Sequence, residues 1–470
     1  MKILIIESIA ATPHLETAGE IALNLNKKNH DVTFAWIGHE LPWNDWQLGI
    51  IAKIFGGSYE KKVKKFKKII SRKGIKIEKS NISIDLDKIY NWSKKFNGNL
   101  DELKNYKYDG SKLGAGVASS LISHFRKLDL NLDKNKNKVR DLLYASAIVY
   151  ERTKKILKKN NPKKIYTFNN RFATCYPIIC AAYKLKIKTI RHERGSDLYK
   201  YEIYEKDVHN LNYTKKKFLS YWKNNNDKKK IDKAVKYYND KVKRKLKING
   251  LNSIYTKNQI KNNLPTLPKD KRIVTFFTSR DYEKASIVNM EFNQFKEFKE
   301  FKKVVDKFKD IHLVVRVHPN LDDKISDDDH QWLKFKDDKT TIIKSYEKYD
   351  TYALMFKSDI VVTYTSSIIV ESSFFGKPSI SIGKFWWSGL KIVDEPKSNY
   401  ELQSLLKKNY VFKKKKITNF LIIANYFLNF GNRYIFYKPI TLTKGKFLGE
   451  ILTWKSSLIL FVEKIIKKII

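Results

Sequence analysis

The side chains best suited to chemistry follow apolar strand patterns in the second half of the chain. The run IHLVVRVHPN carries Arg316 and His318 near its end, and the run DIVVTYTSS ends in Thr365, Ser366 and Ser367. Serine hydroxyls and free backbone N–H groups at the start of a helix bind phosphate well. An imidazole that the following proline holds at the sheet rim can stabilise the charge of a departing phosphate. These residues therefore predict a binding site for a phosphate-bearing ligand.

Glu371 extends this predicted site by one helical turn. It follows Ser367 by four residues, which places the two side chains on one face of the predicted helix. A capping box needs Glu or Gln three residues after the cap, but Ile369 and Val370 stand at that spacing from the two serines. Capping therefore does not explain Glu371. Its carboxylate can accept hydrogen bonds from a sugar diol, so the segment predicts the binding of an activated nucleotide.

A parallel sheet is the element that must position these residues. Continuous Val and Ile runs separated by helical patterns are typical of parallel strands covered on both faces. In such sheets, ligands bind beyond the carboxyl ends of the strands. The N-terminal run KILIIE begins another β-α-β pattern, without the G-x-G-x-x-G fingerprint of dinucleotide binding. The sequence predicts an α/β fold with two domains, the first of which contains a basic, mostly helical insertion over residues 43–160.

The predicted domain boundaries follow changes of composition. A polar, lysine-rich segment ends in NNLPTLP, whose two prolines mark a linker. The first domain is therefore predicted over residues 1–264 and the second over residues 271–416. Residues 417–470 are predicted to form a basic, aromatic, helical tail, which ends in a helical pattern over residues 458–470. Two interpretations of that last helix stay open, packing on a domain or lying in an anionic membrane interface.

Two further polar segments are candidates for binding an anion or an acceptor. Gly114 and Gly116 lie at the start of an apolar helical pattern, where glycines can expose N–H groups to an anion. The alternative for them is a plain loop and helix cap. The run RHERGSD follows a strand pattern and includes His192, Glu193 and Arg194 among five ionisable residues. Its glycine predicts a tight turn, and we expect this run to line a cleft.

The composition restricts the partners of the chain. Its formal net charge is +45, from 94 Lys and Arg against 49 Asp and Glu. An anionic membrane surface would explain this charge, and so would a composition bias, because the lysines are spread along the whole chain. No nucleic-acid-binding motif accompanies the charge, so no nucleic acid partner is expected.

The cysteine content and the apolar runs restrict the cellular setting. Two cysteines exclude a disulfide framework and a four-ligand zinc site, and neither a metal nor a cofactor is expected. The start MKILIIES is too short for a signal peptide, and no run of about 18 uncharged apolar residues predicts a spanning helix. We expect a cytoplasmic protein, or one that is peripheral at the inner face of the membrane.

The order of three motifs resembles a known family. The HP pair at His318, the SS pair at Ser366 and the run ESSFFGKP from Glu371 are similar to motifs of GT-B glycosyltransferases of bacterial surface-polysaccharide synthesis. The HP and SS combination resembles the group that uses CMP-activated acidic sugars, such as bacterial sialyltransferases and capsule Kdo transferases. The resemblance implies two Rossmann-like domains that face a cleft, with His318 at the CMP moiety and the serine pair at its phosphate. It also implies that a carboxylate of the N-terminal domain is the base, for which Glu193 is the nearest match.

The same resemblance implies the reaction. A nucleotide-sugar, CMP-linked in this group, is the co-substrate, and transfer to a surface polysaccharide or lipid-linked acceptor needs no metal. Two other functions stay open. A CDP-glycerol-type glycerophosphotransferase has the same architecture, and a non-catalytic protein that binds membranes or nucleic acid would explain the charge. The second alternative leaves the ordered polar residues at strand ends without an explanation.

Overall fold

The computed structural model describes residues 1–42, 59–79, 82–126, 128, 130–246, 258–280, 282, 292–319 and 327–453. The chain divides into two compact units. The first unit contains the described residues of Met1–His209 and those from Gly431 to Thr453, and the second contains the described residues from Asn210 to Phe430.

The strands of the described residues are, in chain order, β1 (Lys2–Glu7), β2 (Asp31–Trp36), β3 (Lys76–Ile77), β4 (Lys164–Phe168), β5 (Lys188–Arg194), β6 (Lys200–Tyr204), β7 (Arg272–Phe277), β8 (Ile311–Arg316), β9 (Thr340–Ile343), β10 (Ile360–Thr363), β11 (Ser379–Ser381), β12 (Asn432–Arg433), β13 (Tyr437–Thr441), β14 (Lys444–Phe447) and β15 (Glu450–Ile451).

The helices of the described residues are, in chain order, α1 (His14–Lys27), α2 (Tyr59–Ser71), α3 (Leu86–Lys94), α4 (Leu100–Asn105), α5 (Leu113–Phe125), α6 (Lys136–Asn160), α7 (Tyr176–Lys184), α8 (Leu211–Asn224), α9 (Lys230–Val242), α10 (Gln294–Val305), α11 (Asp327–Leu333), α12 (Thr351–Lys357), α13 (Ile368–Phe374), α14 (Asn399–Leu405) and α15 (Ile417–Asn429). One 3-10 turn, Asp133–Asn135, precedes α6. Among these described helices, none combines the length and the apolar character that crossing a bilayer requires.

The first unit is built on a seven-stranded sheet of the described residues, in the order β12-β6-β5-β4-β1-β2-β3. Strands β3, β2, β1, β4 and β5 run parallel, and β6 and β12 add antiparallel pairings at one edge. Strand β1 is buried on both faces after Lys2, as a central parallel strand must be. Helices α1 and α2 contribute to the core on one face, through Leu15 and Phe66, and α6 and α7 to the core on the other.

The second unit is built on a five-stranded parallel sheet of the described residues, in the order β11-β10-β7-β8-β9. Its core includes Phe276 from β7 together with Phe298 and Phe301 from α10, and all three side chains are fully buried. Two units with largely parallel sheets covered by helices confirm the predicted fold class, α/β with two Rossmann-like domains.

The boundary between the units differs from the predicted one at residue 264. It lies after His209, because α8 and α9 pack on α15 inside the second unit. Phe218 of α8 lies 4.7 Å from Tyr426 of α15 between ring centroids, and the hydroxyl of Tyr238 on α9 donates to the carbonyl of Phe420 at 2.9 Å. The lysine-rich composition of this segment conceals the apolar faces of both helices. The two prolines of the predicted linker accordingly lie within the second unit.

The predicted tail and insertion also need correction. Only α15 of the tail is helical among the described residues, because β12 then joins the first sheet beside β6 and β13, β14 and β15 form a small antiparallel sheet. The predicted helix over residues 458–470 lies outside the described residues. The predicted insertion contains helices α2 to α6, as expected, but its short strand β3 belongs to the first sheet, and residues 43–58 lie outside the described residues.

Glu20 fixes the C-terminal segment to the first unit. Its fully buried carboxylate on α1 accepts hydrogen bonds from the backbone N–H groups of Ile435 at 2.8 Å, Phe436 at 2.7 Å and Tyr437 at 3.1 Å. Hydrogen bonds to a charged group are worth about 1.5–3 kcal/mol each. One side chain therefore holds the start of a segment that is more than four hundred residues away in sequence.

We expect Glu20→Ala to release this segment, because three backbone N–H groups lose their charged acceptor at once. The measurement is the rate of trypsin cleavage after Lys444 and Lys446, which should rise at least tenfold over the wild type. Glu60→Ala, which removes an exposed carboxylate from α2, is the matched control and should leave the rate unchanged. Equal rates for the two variants would show that Glu20 does not hold the segment.

Candidate functional site

A cavity of about 290 Å³ lies in the second unit, at the carboxyl ends of its central strands. Ser279 and Arg280 follow β7, His318 follows β8, and Ser366 follows β10. The carboxyl ends of parallel strands meet at one edge of the sheet, which is why residues so far apart in sequence share a cavity. Among the described residues, the lining comprises Tyr237, Tyr238, Lys241, Ser279, Arg280, His318, Thr365, Ser366, Ser367, Val370, Glu371, Phe385, Trp386, Ile423 and Phe427.

His318 and Arg280 form the polar edge of this cavity. The backbone N–H of His318 donates to the hydroxyl of Thr278 at 2.8 Å, which fixes the turn after β8. The Nε of Arg280 lies 3.4 Å from the Nδ1 of His318, and its Nη1 donates to the Tyr282 hydroxyl at 3.0 Å. Sequence reasoning missed Arg280, although its position just after β7 matches that of His318 just after β8.

The serine turn after β10 presents two hydroxyls to the cavity. The hydroxyl of Thr363 accepts the backbone N–H of Ser366 at 2.9 Å, and the hydroxyl of Thr365 donates to that of Ser279 at 2.8 Å. Within the described residues, the Ser366 and Ser367 hydroxyls have no hydrogen-bond partner, and Ser367 does not cap α13 with its side chain. The turn is therefore held by the two threonines, which leaves the serine hydroxyls available to a ligand.

Glu371 lines the cavity together with a cation that sequence reasoning missed. The ammonium of Lys241 on α9 donates to Glu371 Oε1, and both side chains are largely buried. Burial raises the pKa of Glu371, and the Lys241 charge opposes that rise. Burial opposes the charge of Lys241 as well, but its pKa is held well above its usual range by Glu371. In a segment full of lysines, no local pattern distinguishes this one from its exposed neighbours.

Arg316 does not line this cavity, so the structure does not support its predicted place among the donor-binding residues. Its guanidinium is buried and donates to the carbonyls of Lys344 at 2.6 Å and Glu347 at 3.1 Å. Burial lowers the pKa of Arg316 to about 10. The two hydrogen bonds of its guanidinium hold the loop after β9 in place, so Arg316 has a structural role.

The wall of the cavity is aromatic. Tyr237 and Tyr238 come from α9, Phe427 comes from α15, and Phe385 and Trp386 come from the loop after β11. Trp386 and Phe427 pack edge to face with ring centroids 5.1 Å apart. Flat rings of this kind can stack a planar base. The cavity therefore combines a cationic and hydroxyl-bearing edge with an apolar wall.

Glu193 belongs to a separate polar cluster in the first unit, at the carboxyl ends of β1, β4 and β5. Its carboxylate accepts Asn169 Nδ2 at 2.7 Å and the backbone N–H of Arg194 at 2.9 Å, and 24% of its side chain is exposed. His14 Nδ1 lies 4.0 Å from the same carboxylate. Burial, followed by the charge of Arg194, lowers the pKa of His14 well below its usual range. His14 is therefore neutral at pH 7. None of the three groups just named that contact the Glu193 carboxylate is positively charged.

The predicted acceptor-binding roles of His192 and Arg194 do not fit their surroundings. His192 is fully buried, and its Nε2 lies 2.7 Å from Glu7 Oε1. Burial raises the pKa of Glu7, and His192 opposes the rise. The guanidinium of Arg194 donates to the carbonyls of Leu442 at 3.0 Å and Thr12 at 3.4 Å. Both side chains hold the first unit together, so neither is presented to an acceptor.

Close packing explains Gly114 and Gly116, in place of the predicted anion site. A Cβ on Gly114 would lie 1.8 Å from the Leu103 carbonyl oxygen, and one on Gly116 would lie 2.8 Å from that of Phe172. The backbone N–H of Gly114 already donates to the Tyr106 carbonyl at 3.0 Å. Both residues are glycine because α5 approaches neighbouring backbone closely.

As for metal ions, the residues that the structure describes contain no group of three or more His, Cys, Asp or Glu suited to hold one.

No protein-family model and no curated protein sequence matches the chain. Among solved structures, it is similar to KpsC of Thermosulfurimonas dismutans, a beta Kdo 2,7 transferase, at 13% identity and a TM-score of 0.37, covering 67% of this chain and 89% of that one. A second KpsC structure, a beta Kdo 2,4 transferase, has 12% identity and a TM-score of 0.35, over 56% and 79%. The UDP-GlcNAc 2-epimerase of Neisseria meningitidis has 12% identity and a TM-score of 0.25, over 99% and 100%. At these TM-scores the likenesses decide neither fold nor function.

Proposed function

We propose that the protein is a glycosyltransferase that binds a nucleotide-sugar in the cavity of its second unit. One observation carries the proposal. Three neighbouring parallel strands end in a histidine, an arginine and a serine pair around one cavity, beside an aromatic wall. This arrangement suits a ligand with one flat apolar end and one anionic end, as a nucleotide has.

The donor is held by complementary chemistry in this proposal. The hydroxyls of Ser366 and Ser367 donate to the phosphate, and the guanidinium of Arg280 and the imidazole of His318 meet its negative charge. The base stacks on rings of the aromatic wall. The HP and SS pairs resemble those of CMP-dependent enzymes, so we propose a CMP-linked acidic sugar as the donor.

Transfer proceeds by direct displacement in this proposal. The acceptor hydroxyl oxygen forms a bond to the anomeric carbon while the bond from that carbon to the phosphate oxygen breaks. Glu193 takes the hydroxyl proton, and CMP leaves with the electron pair on its phosphate, where His318 and Arg280 stabilise the charge. These side chains supply the charge stabilisation without requiring a metal. The acceptor is a glycan or a lipid-linked glycan.

Nucleotide selectivity tests this proposal. In thermal-shift measurements, CMP at about a hundred times its Kd should raise the Tm by roughly 5 °C, since such binding adds about 2.7 kcal/mol. UMP, GMP and UDP at the same concentration should raise it less. A stronger shift with CDP than with CMP would favour a CDP-linked donor and glycerophosphate transfer. No shift with any nucleotide would contradict nucleotide binding itself.

A further inference from the structure

The small sheet of β13, β14 and β15 has one buried and one exposed face. Tyr437 and Phe447 point into the core of the first unit, where the Phe447 ring lies 5.6 Å from that of Phe66 on α2. The alternate residues Lys438, Lys444 and Lys446 are exposed. The exposed face of this sheet therefore carries a group of lysines.

Two of these lysines stand directly opposite each other. Lys438 and Lys446 are cross-strand partners, with side chains on the same exposed face. Like charges in this position destabilise a sheet. Within the described part of the chain, no carboxylate lies close enough to form a salt bridge with either. An external anion would relieve this repulsion.

Helix α2 adds a row of lysines beside the sheet. Lys61, Lys64, Lys65 and Lys68 follow the spacing i, i+3, i+4 and i+7, which places them along one helix face, and all four are exposed. Lys65 connects the row to the sheet, because its ammonium lies 3.0 Å from a carboxylate oxygen of Glu450 on β15. The exposed lysines of α2 and those of the small sheet together define the basic face.

Aliphatic side chains lie among the lysines of the basic face. Ile440 on β13 is 50% exposed, and Ile451, the cross-strand partner of Lys446, is 39% exposed.

We propose that the basic face docks the protein on an anionic lipid bilayer. Lysines attract lipid phosphates, and isoleucines enter the headgroup region when a surface lies in the membrane interface. Binding to nucleic acid is less well matched, because aliphatic side chains offer no stacking platform for bases.

Co-sedimentation of the full chain with vesicles tests this proposal. The probes are vesicles of phosphatidylcholine alone and of phosphatidylcholine with about 30% phosphatidylglycerol. We expect binding only to the anionic vesicles, and we expect the double variant Lys438→Gln/Lys446→Gln to weaken it about 30-fold, which corresponds to about 1 kcal/mol per lysine. The substitution also removes a like-charge pair, so the Tm should not fall.

Further measurements show whether vesicle binding depends on the position of the lysines or only on their number, and whether the face prefers lipid to other polyanions. Lys158→Gln/Lys163→Gln removes two exposed lysines elsewhere in the first unit and should weaken binding less than threefold. Ile440→Asn should weaken vesicle binding while leaving retention on heparin unchanged. The proposal is wrong if the two double variants bind vesicles equally. It is also wrong if Lys438→Gln/Lys446→Gln weakens binding to poly-uridylate RNA but not to vesicles.

Discussion

Replacing Glu193 by glutamine is expected to slow sugar transfer by about 100-fold or more and to leave donor binding unchanged. The loss of a general base typically has an effect of this size, because the acceptor hydroxyl then has no group to take its proton. Glutamine retains the shape of the side chain and one acceptor oxygen for Asn169 or the Arg194 N–H. The fold should therefore survive, and the measurement is the single-turnover transfer rate at saturating donor and acceptor.

Glu205→Gln is the matched control for this experiment. Glu205 follows β6 in the first unit, its side chain is 57% exposed, and its pairing with Lys188 has no place in the proposed reaction. The same chemical change there should leave the transfer rate within about twofold. Full activity of Glu193→Gln on a defined acceptor would show that another group is the base. Glu7 is a poor replacement, because its carboxylate is buried against His192.

The second large effect is expected at Lys241. Lys241→Met leaves the Glu371 carboxylate buried without its cation, and breaking a buried ion pair from one side lowers the free energy of unfolding by about 3–5 kcal/mol. The double variant Lys241→Met/Glu371→Leu should recover most of this loss, because it leaves no buried charge behind. Urea denaturation of the single and double variants measures both values.

The pH dependence of the Lys241→Met variant follows from the raised pKa of Glu371. Without Lys241, nothing opposes the effect of burial, so protonation of Glu371 favours the folded state. The instability should therefore be small near pH 4.5 and should grow as the pH rises toward the pKa of the folded state. Lys236→Met, on the same helix, removes a lysine that is 70% exposed and should change the stability by less than about 1 kcal/mol. A loss no larger than that for Lys241→Met would contradict a structural ion pair.

The polar residues that end the central strands were predictable from the sequence, because strand direction alone decides where they meet. His318, Thr365, Ser366 and Ser367 all line the cavity for that reason. Arg316 was predicted with them, but it is the last residue of its strand and its long side chain reaches the neighbouring loop. The sequence predicts which residues lie at the edge of the sheet. It does not predict which groups a long, flexible side chain at that edge will contact.

Contacts between distant segments were not predictable in the same way. Lys241 and Glu371, which form an ion pair, are 130 residues apart in sequence. Glu20 and Phe436, which form a hydrogen bond, are 416 residues apart. Local periodicity contains no signal for either pairing. For the same reason the predicted domain boundary was wrong. The lysine-rich helices α8 and α9 belong to the second unit because they pack on α15, and α15 is far from them in sequence.

Calorimetric titration with CMP tests the central claim most directly, on the wild type and on Ser366→Ala/Ser367→Ala. Each hydroxyl donates to a charged phosphate in the proposed complex, and such bonds contribute about 1.5–3 kcal/mol. The double variant should therefore bind CMP more than 100-fold more weakly, with a Tm within a few degrees of the wild type, because neither hydroxyl has a partner within the described residues. Ser404→Ala, a change at a half-buried serine of α14 that does not line the cavity, should leave the Kd unchanged. Equal CMP affinity in the wild type and the double variant would contradict the claim that this cavity binds the nucleotide.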